Sequence, residues 1–208
     1  NREFYQNRIQ FVPSAAEYQG ERSFVLDLVL DDNRAKTTIE GATESLDGEL
    51  ERTVELIFNH ALWHPQQSLL VASASVVHAE RIRAAVKLGI QSRPNLAEFF
   101  DSHGREKFEV ATVAELSHRI ADVVIFSLGV TTEPELFAHP LARKFVANLL
   151  VSARSRITVV SSITVVPESW PMAKLLNDVF ANVNHEAIAD SDQSDPMLTD
   201  LALRLRKL

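Results

Sequence analysis

The sequence predicts an α/β fold, a doubly wound and mostly parallel sheet flanked by helices. Short apolar segments alternate with segments of helical periodicity, the pattern expected of repeated strand-helix units. Several of the apolar segments, such as residues 122–128 (DVVIFSL), are apolar on both faces, as in strands buried within a parallel sheet. A composition of 46% hydrophobic and 24% charged residues is typical of a globular chain that buries a core.

The elements follow in a regular order. Strands are predicted at 23–30, 68–73, 108–113, 122–128 and 156–161, and residues 31–48 are predicted to form a loop with one short strand. The first helix begins at Glu49, carries apolar residues from Leu50 to Leu62 at helical spacing, and ends before Pro65. Further helices are predicted at 77–88, where Gly89 stops the helix, at 94–100, at 139–152 and from Ser169 to about residue 180.

In a sheet of this kind, ligands bind beyond the carboxyl ends of the strands. The loops after Ala72, Val113, Leu128 and Val160 are therefore the segments in which we expect functional residues.

Composition excludes several classes of function. The chain has no cysteine, which rules out disulfides, thiolate metal sites and a cysteine nucleophile, and suits a cytoplasmic location. A net charge of -7 argues against general electrostatic attraction to nucleic acid but leaves room for a local contact. No apolar run is long enough to span a membrane, so no membrane partner is expected.

Motifs for independent catalysis are also missing from the sequence. There is no G-x-x-x-x-G-K-[ST] phosphate loop and no G-x-G-x-x-G. His60 and His64 have the i, i+4 spacing of a metal pair but lack a third ligand, and the carboxylates at 190, 192 and 195 lack the glycine of a calcium loop. No serine lies in a nucleophile-elbow motif, so we predict no catalytic residue and no metal site in this chain.

Two segments match helicase motifs. Residues 112–127 (TVAELSHRIADVVIFS) have the length and frame of motif V, T-V-x-x-x-Q-G-x-E-x-D-x-V-I-x-S, and residues 146–161 (VANLLVSARSRITVVS) resemble motif VI, L-N-V-A-x-T-R-A-R, with its following strand. Residues 1–5 (NREFY), 49–57 and 68–82 match more loosely. Over nearly its whole length the chain thus resembles the second RecA-like domain of superfamily-1 helicases of the kind that act in nonsense-mediated decay and Okazaki-fragment processing.

The resemblance implies a RecA-like domain at 1–190, with the P-loop NTPase type of fold but no P-loop. It also implies that ATP and Mg are bound only in the full-length protein, by a first RecA-like domain. Arg154 and Arg156 are the candidate nucleotide-binding residues. Motif V's Gln, Gly and Glu are replaced by Ser117, His118 and Ile120, and the motif VI arginine that faces the γ-phosphate is replaced by Ser152. Loss of such an arginine costs on the order of 10³ or more in rate.

At the positions that face nucleic acid in these helicases, this chain departs less from the motifs than it does at the positions that face nucleotide. Ser73 and Thr112 are candidate phosphate contacts, and His118 and Arg119 complete the predicted nucleic-acid-binding set. The implied partner is single-stranded nucleic acid, with DNA favoured over RNA. Residues 191–208 are interpreted as a linker and the first helix of a following domain, because Leu198, Leu201, Leu205 and Leu208 form one apolar stripe that needs a packing partner; the alternative is that this helix docks on the present domain. The resemblance implies that the following domain is nuclease-like.

Three interpretations remain open from the sequence alone. The chain is a motor domain, active or degenerate, or it is a non-enzymatic scaffold derived from a decayed motor. The least favoured interpretation is an independent small-molecule domain on the same fold.

Overall fold

A computed structural model describes residues 24–29, 35–37, 43–101, 107–130 and 135–163, together with 168, 173 and 177. The strands are β1 (Phe24–Leu28), β2 (Ala35–Thr37), β3 (Thr43–Leu46), β4 (Leu69–Ser73), β5 (Phe108–Thr112), β6 (Ala121–Ser127) and β7 (Ala153–Ser161). The helices are α1 (Asp47–Trp63), α2 (Val76–Ser92), α3 (Ala97–Phe100), α4 (Glu135–Ala138) and α5 (Ala142–Val151), with 3-10 turns at Pro94–Leu96 and Val113–Glu115.

Five strands form one sheet in the order β1-β7-β6-β4-β5, and every neighbouring pair is parallel. β2 and β3 form a separate antiparallel pair. The predicted α/β fold is therefore confirmed, including the prediction that the strands ending near Val113, Leu128 and Val160 share one sheet. Because all five strands run the same way, the sheet has an amino edge, where strands begin, and a carboxyl edge, where they end.

The core has two layers, one on each face of the sheet. Successive strand residues point to opposite faces, so Leu70 packs in one layer and Val71 in the other. Helices α1 and α2 cover one face, and α5 covers the opposite face. The β4–β5 connection contains α2, whereas the β6–β7 connection contains α4 and α5. The topological switch point therefore lies between β4 and β6.

Helix α1 runs antiparallel to the strands, so it begins at the carboxyl edge and ends at the amino edge. Its apolar residues are buried as predicted, from Leu50 through Ala61, but Leu62 is exposed. Each fully buried Leu, Val, Ile or Phe side chain among them contributes roughly 1.5–3 kcal/mol.

Helix α2 begins at the Ser75 cap, whose side chain accepts from the backbone N–H of His78. The prediction that Gly89 stops this helix was wrong. Gly89 lies inside α2 and is buried, and the helix continues to Ser92, just before Arg93 and Pro94. Packing on the core outweighs the cost of roughly 1 kcal/mol of a helical glycine.

The largest of the other differences from the prediction are three. The loop at 31–48 contains two short strands, β2 and β3, rather than one. The helix predicted at 139–152 begins only at Ala142 and ends at Val151, because the chain turns at Pro140, and the separate short helix α4 precedes this turn. β7 begins at Ala153 rather than at residue 156, since the strand extends beyond the apolar run that predicted it.

The predicted final helix from Ser169 lies almost wholly outside the described residues, as do residues 1–5, the carboxylates at 190, 192 and 195, and the helix at 195–208. In the part of the chain that the structure describes, none of the helices combines the length and apolarity needed to cross a membrane.

Candidate functional site

Four neighbouring strands end in a hydroxyl residue at the carboxyl edge. β4 ends at Ser73, β5 at Thr112, β6 at Ser127 and β7 at Ser161, and all four residues are buried. A ligand in an open α/β sheet would lie beyond these ends. The partners of these hydroxyls therefore decide whether the edge is open to a ligand.

The first turn of α2 places His78 in the crevice between the ends of β4 and β6. The Oγ of Ser45 lies 2.6 Å from Nδ1, and the Oγ of Ser127 lies 2.8 Å from Nε2. Burial, with a smaller effect of the Arg81 charge, lowers the pKa of His78 to about 3. The ring is therefore neutral, and it donates through one nitrogen and accepts at the other.

Ser127 and His78 have the contact of a nucleophile and its base, but the pair is not placed for catalysis. Both residues are fully buried, and the Oγ of Ser127 also accepts a hydrogen bond of 2.9 Å from Thr53. Substrate has no access to a hydroxyl in this position. The arrangement instead joins β3, α1, α2 and β6 through hydrogen bonds.

Glu49, in the first turn of α1, closes the neighbouring crevice between β6 and β7. Its side chain is completely buried. It accepts hydrogen bonds from the backbone N–H of Gly129 at 2.6 Å and from the N–H and Oγ of Ser162 at 2.7 and 2.8 Å. One carboxylate thus holds the loops that follow β6 and β7.

Gly129 is required at its position on two grounds. Its φ is +77°, in the left-handed region that favours glycine. A Cβ atom there would lie 2.5 Å from Cγ of His78. Its carbonyl also accepts from the N–H of Leu46 at 3.0 Å, so β3 is fastened to the same loop. The protein's own side chains therefore fill the switch-point crevice.

The structure does not bring the four predicted nucleic-acid contacts together. Ser73 and Thr112 lie at the carboxyl edge, where the Oγ of Ser73 accepts from Ser75 and the Oγ1 of Thr112 donates to Glu115 at 3.0 Å. His118 and Arg119 lie near the start of β6, at the amino edge, and Arg119 forms an ion pair with Glu109.

At the amino edge, the segments that resemble motifs V and VI are in direct contact. The N–H of Ala121 donates to the carbonyl of Ser152 at 2.8 Å. Arg154 donates to Oδ1 of Asp122 at 3.0 Å, and the Oγ of Ser155 donates to the Asp122 carbonyl at 2.6 Å. Two segments some thirty residues apart in the sequence thus form one unit.

Asp122 is the centre of this contact. Its Oδ2 also accepts from the N–H and Oγ of Ser68, both at 2.8 Å. Burial opposes the charged form, but the hydrogen bonds from Ser68 and Arg154 outweigh it and lower the pKa of Asp122. The carboxylate is therefore ionised under ordinary conditions, and it holds together the starts of β4, β6 and β7.

The candidate nucleotide-binding residues differ in their surroundings. Arg154 is engaged with Asp122 although its side chain is 60% exposed, and Arg156 is exposed on β7. Ser152, which takes the place of the motif VI arginine, is fully buried, and its hydroxyl donates to the carbonyl of Leu149 at 2.7 Å. That hydroxyl completes the end of α5 and does not face solvent.

The two histidines at metal-like spacing have other roles. Nε2 of His60 lies 3.0 Å from the carbonyl oxygen of Gln67, and the rings of His60 and His64 are 5.7 Å apart. Burial first, then the charges of His64 and Arg156, lower the pKa of His60. Across the described segments, no group of three side chains is arranged to hold a metal ion.

Sequence reasoning missed the buried network of Ser45, Glu49, Thr53 and His78. A signal was present, because Glu49 and Thr53 are polar residues at i, i+4 within the apolar stripe of α1. Buried polar residues at such positions require partners in the fold.

No protein-family model and no curated protein matches the sequence. Among solved structures, the chain is similar to a shikimate 5-dehydrogenase-like protein at 13% identity, covering 86% of this chain and 72% of that chain, with a TM-score of 0.24. A similarity this low carries no argument about function. The α/β, Rossmann-like class of the fold rests on the strand order and register given above.

Proposed function

We propose that this chain is the second RecA-like domain of a helicase-like protein, in a degenerate form that closes on a first RecA-like domain but supplies little of the chemistry of ATP hydrolysis. The observation that carries the proposal is the backbone at His118. This residue takes the place of the motif V glycine, and its φ is 65°. A non-glycine residue rarely adopts that conformation. Retention of a glycine-like backbone at this one position supports the resemblance.

The contact between the two motif-like segments supports the same proposal. Asp122 and Arg154 are the charged positions that match motifs V and VI, and here they form an ion pair. They lie at the amino edge beside Ser117 and Ser152, whereas Ser73 and Thr112 lie at the carboxyl edge. The residues that the resemblance assigns to nucleotide are thus separated along the strands from Ser73 and Thr112.

The described residues do not fit ATP and Mg. The γ-phosphate arginine is replaced by the buried Ser152, and Arg154 is engaged with Asp122. We therefore propose that ATP and Mg are bound by the first RecA-like domain of the longer protein, and that no residue of this chain takes part in the chemical step. In this proposal the protein is cytoplasmic, its nucleic-acid partner is single-stranded with DNA favoured, and a nuclease-like domain follows residue 190.

The test is DNA-stimulated ATP hydrolysis by a protein that contains both RecA-like domains. The degenerate form predicts that Arg154→Ala and Arg156→Ala leave the hydrolysis rate nearly unchanged, because neither side chain stabilises charge on the transferred phosphoryl group. A loss on the order of 10³ in either variant would instead indicate an active motor. Circular dichroism of both variants checks that they fold.

A second candidate function is a non-enzymatic scaffold that joins a partner to the following domain. The engagement of the hydroxyls of Ser73 and Thr112 within the fold favours this candidate, as does the net charge of -7. Fluorescence anisotropy with labelled single-stranded DNA separates the two. Binding that weakens with salt supports the motor-derived domain, and absence of binding supports the scaffold.

A further inference from the structure

Large exposed apolar side chains concentrate at the amino edge of the sheet. Among the described residues six such side chains are exposed, and four of them lie at this edge: Leu62, Trp63, Ile120 and Val151. Trp63 is 72% exposed, although tryptophan is on average a highly buried residue. Contiguous exposed apolar surface marks interaction sites, and Leu62 and Trp63 are adjacent at the end of α1.

Trp63 lies on the side of α1 that faces β1 and β7. It shares a helical stripe with Arg52 and Leu56, since Leu56 lies four residues after Arg52 and Trp63 lies seven residues after Leu56. Arg52 reaches β1, where it pairs with Asp27 at 2.8 Å, and Leu56 packs against the core beneath α1. One end of this stripe is therefore bonded to the sheet, and the other end presents Trp63 to solvent.

Two arginines on β7 lie on the same face of the sheet. Arg156 is paired in register with Val123, which belongs to the core layer beneath α1, so its side chain leaves the sheet towards α1. Its charge acts on the ring of His60, which is 5.7 Å from the ring of His64. Arg154 lies two residues before Arg156 on β7, so its side chain leaves the sheet on the same face. The end of α1 and the start of β7 thus bring the exposed indole and the two arginines to the same edge and the same face of the sheet.

We propose that Trp63, His64, Arg154 and Arg156, here named the amino-edge patch, form a docking surface for an acidic segment of a partner protein. Tryptophan and arginine are the residue types that dominate binding at protein interfaces. The indole would contact an apolar side chain of the segment, and the exposed guanidinium of Arg156 would pair with its carboxylates. This inference does not rest on the proposed function, because Trp63 and His64 belong to neither helicase motif.

Charge favours an acidic protein segment over nucleic acid. Nucleic-acid binding depends on an extended row of cations that neutralise successive phosphates. The amino-edge patch offers two arginines, one of them already paired with Asp122. Such a surface matches a few carboxylates around an apolar anchor better than it matches a phosphate backbone.

The test uses the whole chain with Trp170→Phe, so that Trp63 is the one remaining tryptophan. The probes are a panel of short glutamate-rich peptides that carry a central leucine, phenylalanine or methionine. Binding is measured by indole fluorescence and by the anisotropy of a labelled peptide. We expect at least one peptide to bind and to change the Trp63 emission. Trp63→Ala should weaken binding about tenfold or more, and Arg156→Glu should abolish it.

Matched controls come from the carboxyl edge. Leu141→Ala removes another exposed apolar residue and Arg143→Ala another exposed arginine, and neither should change peptide affinity. Equal binding of peptides with glutamine in place of glutamate would overturn the proposal, as would absence of binding by the whole panel. Quenching by oligothymidylate but not by peptides would assign the patch to nucleic acid, and Trp63-dependent dimers in sedimentation would assign it to a second copy. The helicase proposal survives each of these outcomes, since its own test is ATP hydrolysis.

Discussion

The two edges of the sheet differ in how their polar groups are used. At the carboxyl edge, Glu49 and His78 are fully buried and hydrogen-bonded to the loops that follow the strands. At the amino edge, Arg154, Arg156 and Trp63 are exposed. The usual ligand-binding edge of an open α/β sheet is therefore filled by the protein itself, and exposed charged and apolar side chains lie at the opposite edge. A fold alone does not place its site.

Removal of the Glu49 carboxylate is expected to have the largest effect on this arrangement. Glu49→Ala leaves the N–H groups of Gly129 and Ser162 without their acceptor, so we expect a loss of about 3–4 kcal/mol in the free energy of unfolding. Urea denaturation measures it. Glu49→Gln keeps one acceptor oxygen and should lose less, and Glu98→Ala, at an exposed position, should lose almost nothing. Similar losses for Glu49→Ala and Glu98→Ala would contradict the role of Glu49.

Crowding at Gly129 is expected to have the next largest effect. Gly129→Ala combines an unfavourable φ with a clash against His78, so we expect a loss of about 2–3 kcal/mol in stability. A double-mutant cycle with His78→Ala tests the contact. The double variant should be more stable than the sum of the two single losses predicts, because a smaller side chain at 78 makes room for the new methyl group. Simple additivity would show that the two residues act independently.

The buried histidine predicts a dependence of stability on pH. The pKa of His78 is about 3 in the folded state and 6.5 ordinarily, so between these values the unfolded chain binds a proton that the folded chain does not. Stability should therefore fall by about 1.5 kcal/mol from pH 6.5 to pH 5 through this residue. Chemical denaturation at both pH values measures the fall. It should shrink in His78→Gln and persist when the exposed His118 is changed to Asn.

The smallest expected effect concerns the left-handed backbone at the amino edge. His118→Gly removes the strain of a side chain at φ 65°, and we expect a gain of about 0.5–1 kcal/mol. The shift in thermal unfolding midpoint measures it. Ser117→Gly, one position earlier, is the control and should be neutral or destabilising. A loss in His118→Gly would indicate that the imidazole makes a stabilising contact.

The sequence predicted the sheet because buried parallel strands are short, apolar and separated by helical repeats. β4 and β6 show this pattern plainly, and both were placed to within a residue. It did not predict the closed carboxyl edge, because the partners of Glu49 lie 80 and 113 residues away. Gly89 was misjudged for a related reason, since its helix is continued by tertiary packing that local propensity does not reveal.

The same long-range geometry explains why the predicted nucleic-acid-binding residues do not lie together. Ser73 and His118 were grouped by their places in motifs, yet the fold puts them at opposite ends of the strands. Periodicity in the sequence does not indicate which connection runs from the carboxyl edge back to the amino edge before the next strand begins. The 3-10 turn at Val113–Glu115 begins such a return, and it separates Thr112 from Arg119.

At the outer side of β5, where the sheet order ends, side chains occupy the free backbone groups. Arg83 donates to the carbonyl of Val110 at 2.8 and 3.2 Å, and the N–H of Thr112 donates to Glu115 at 2.8 Å. A strand from another molecule would have to displace both side chains before it could pair there. The sheet is therefore protected from growing by strand addition on this side, which lowers the tendency of the folded domain to act as a template for aggregation.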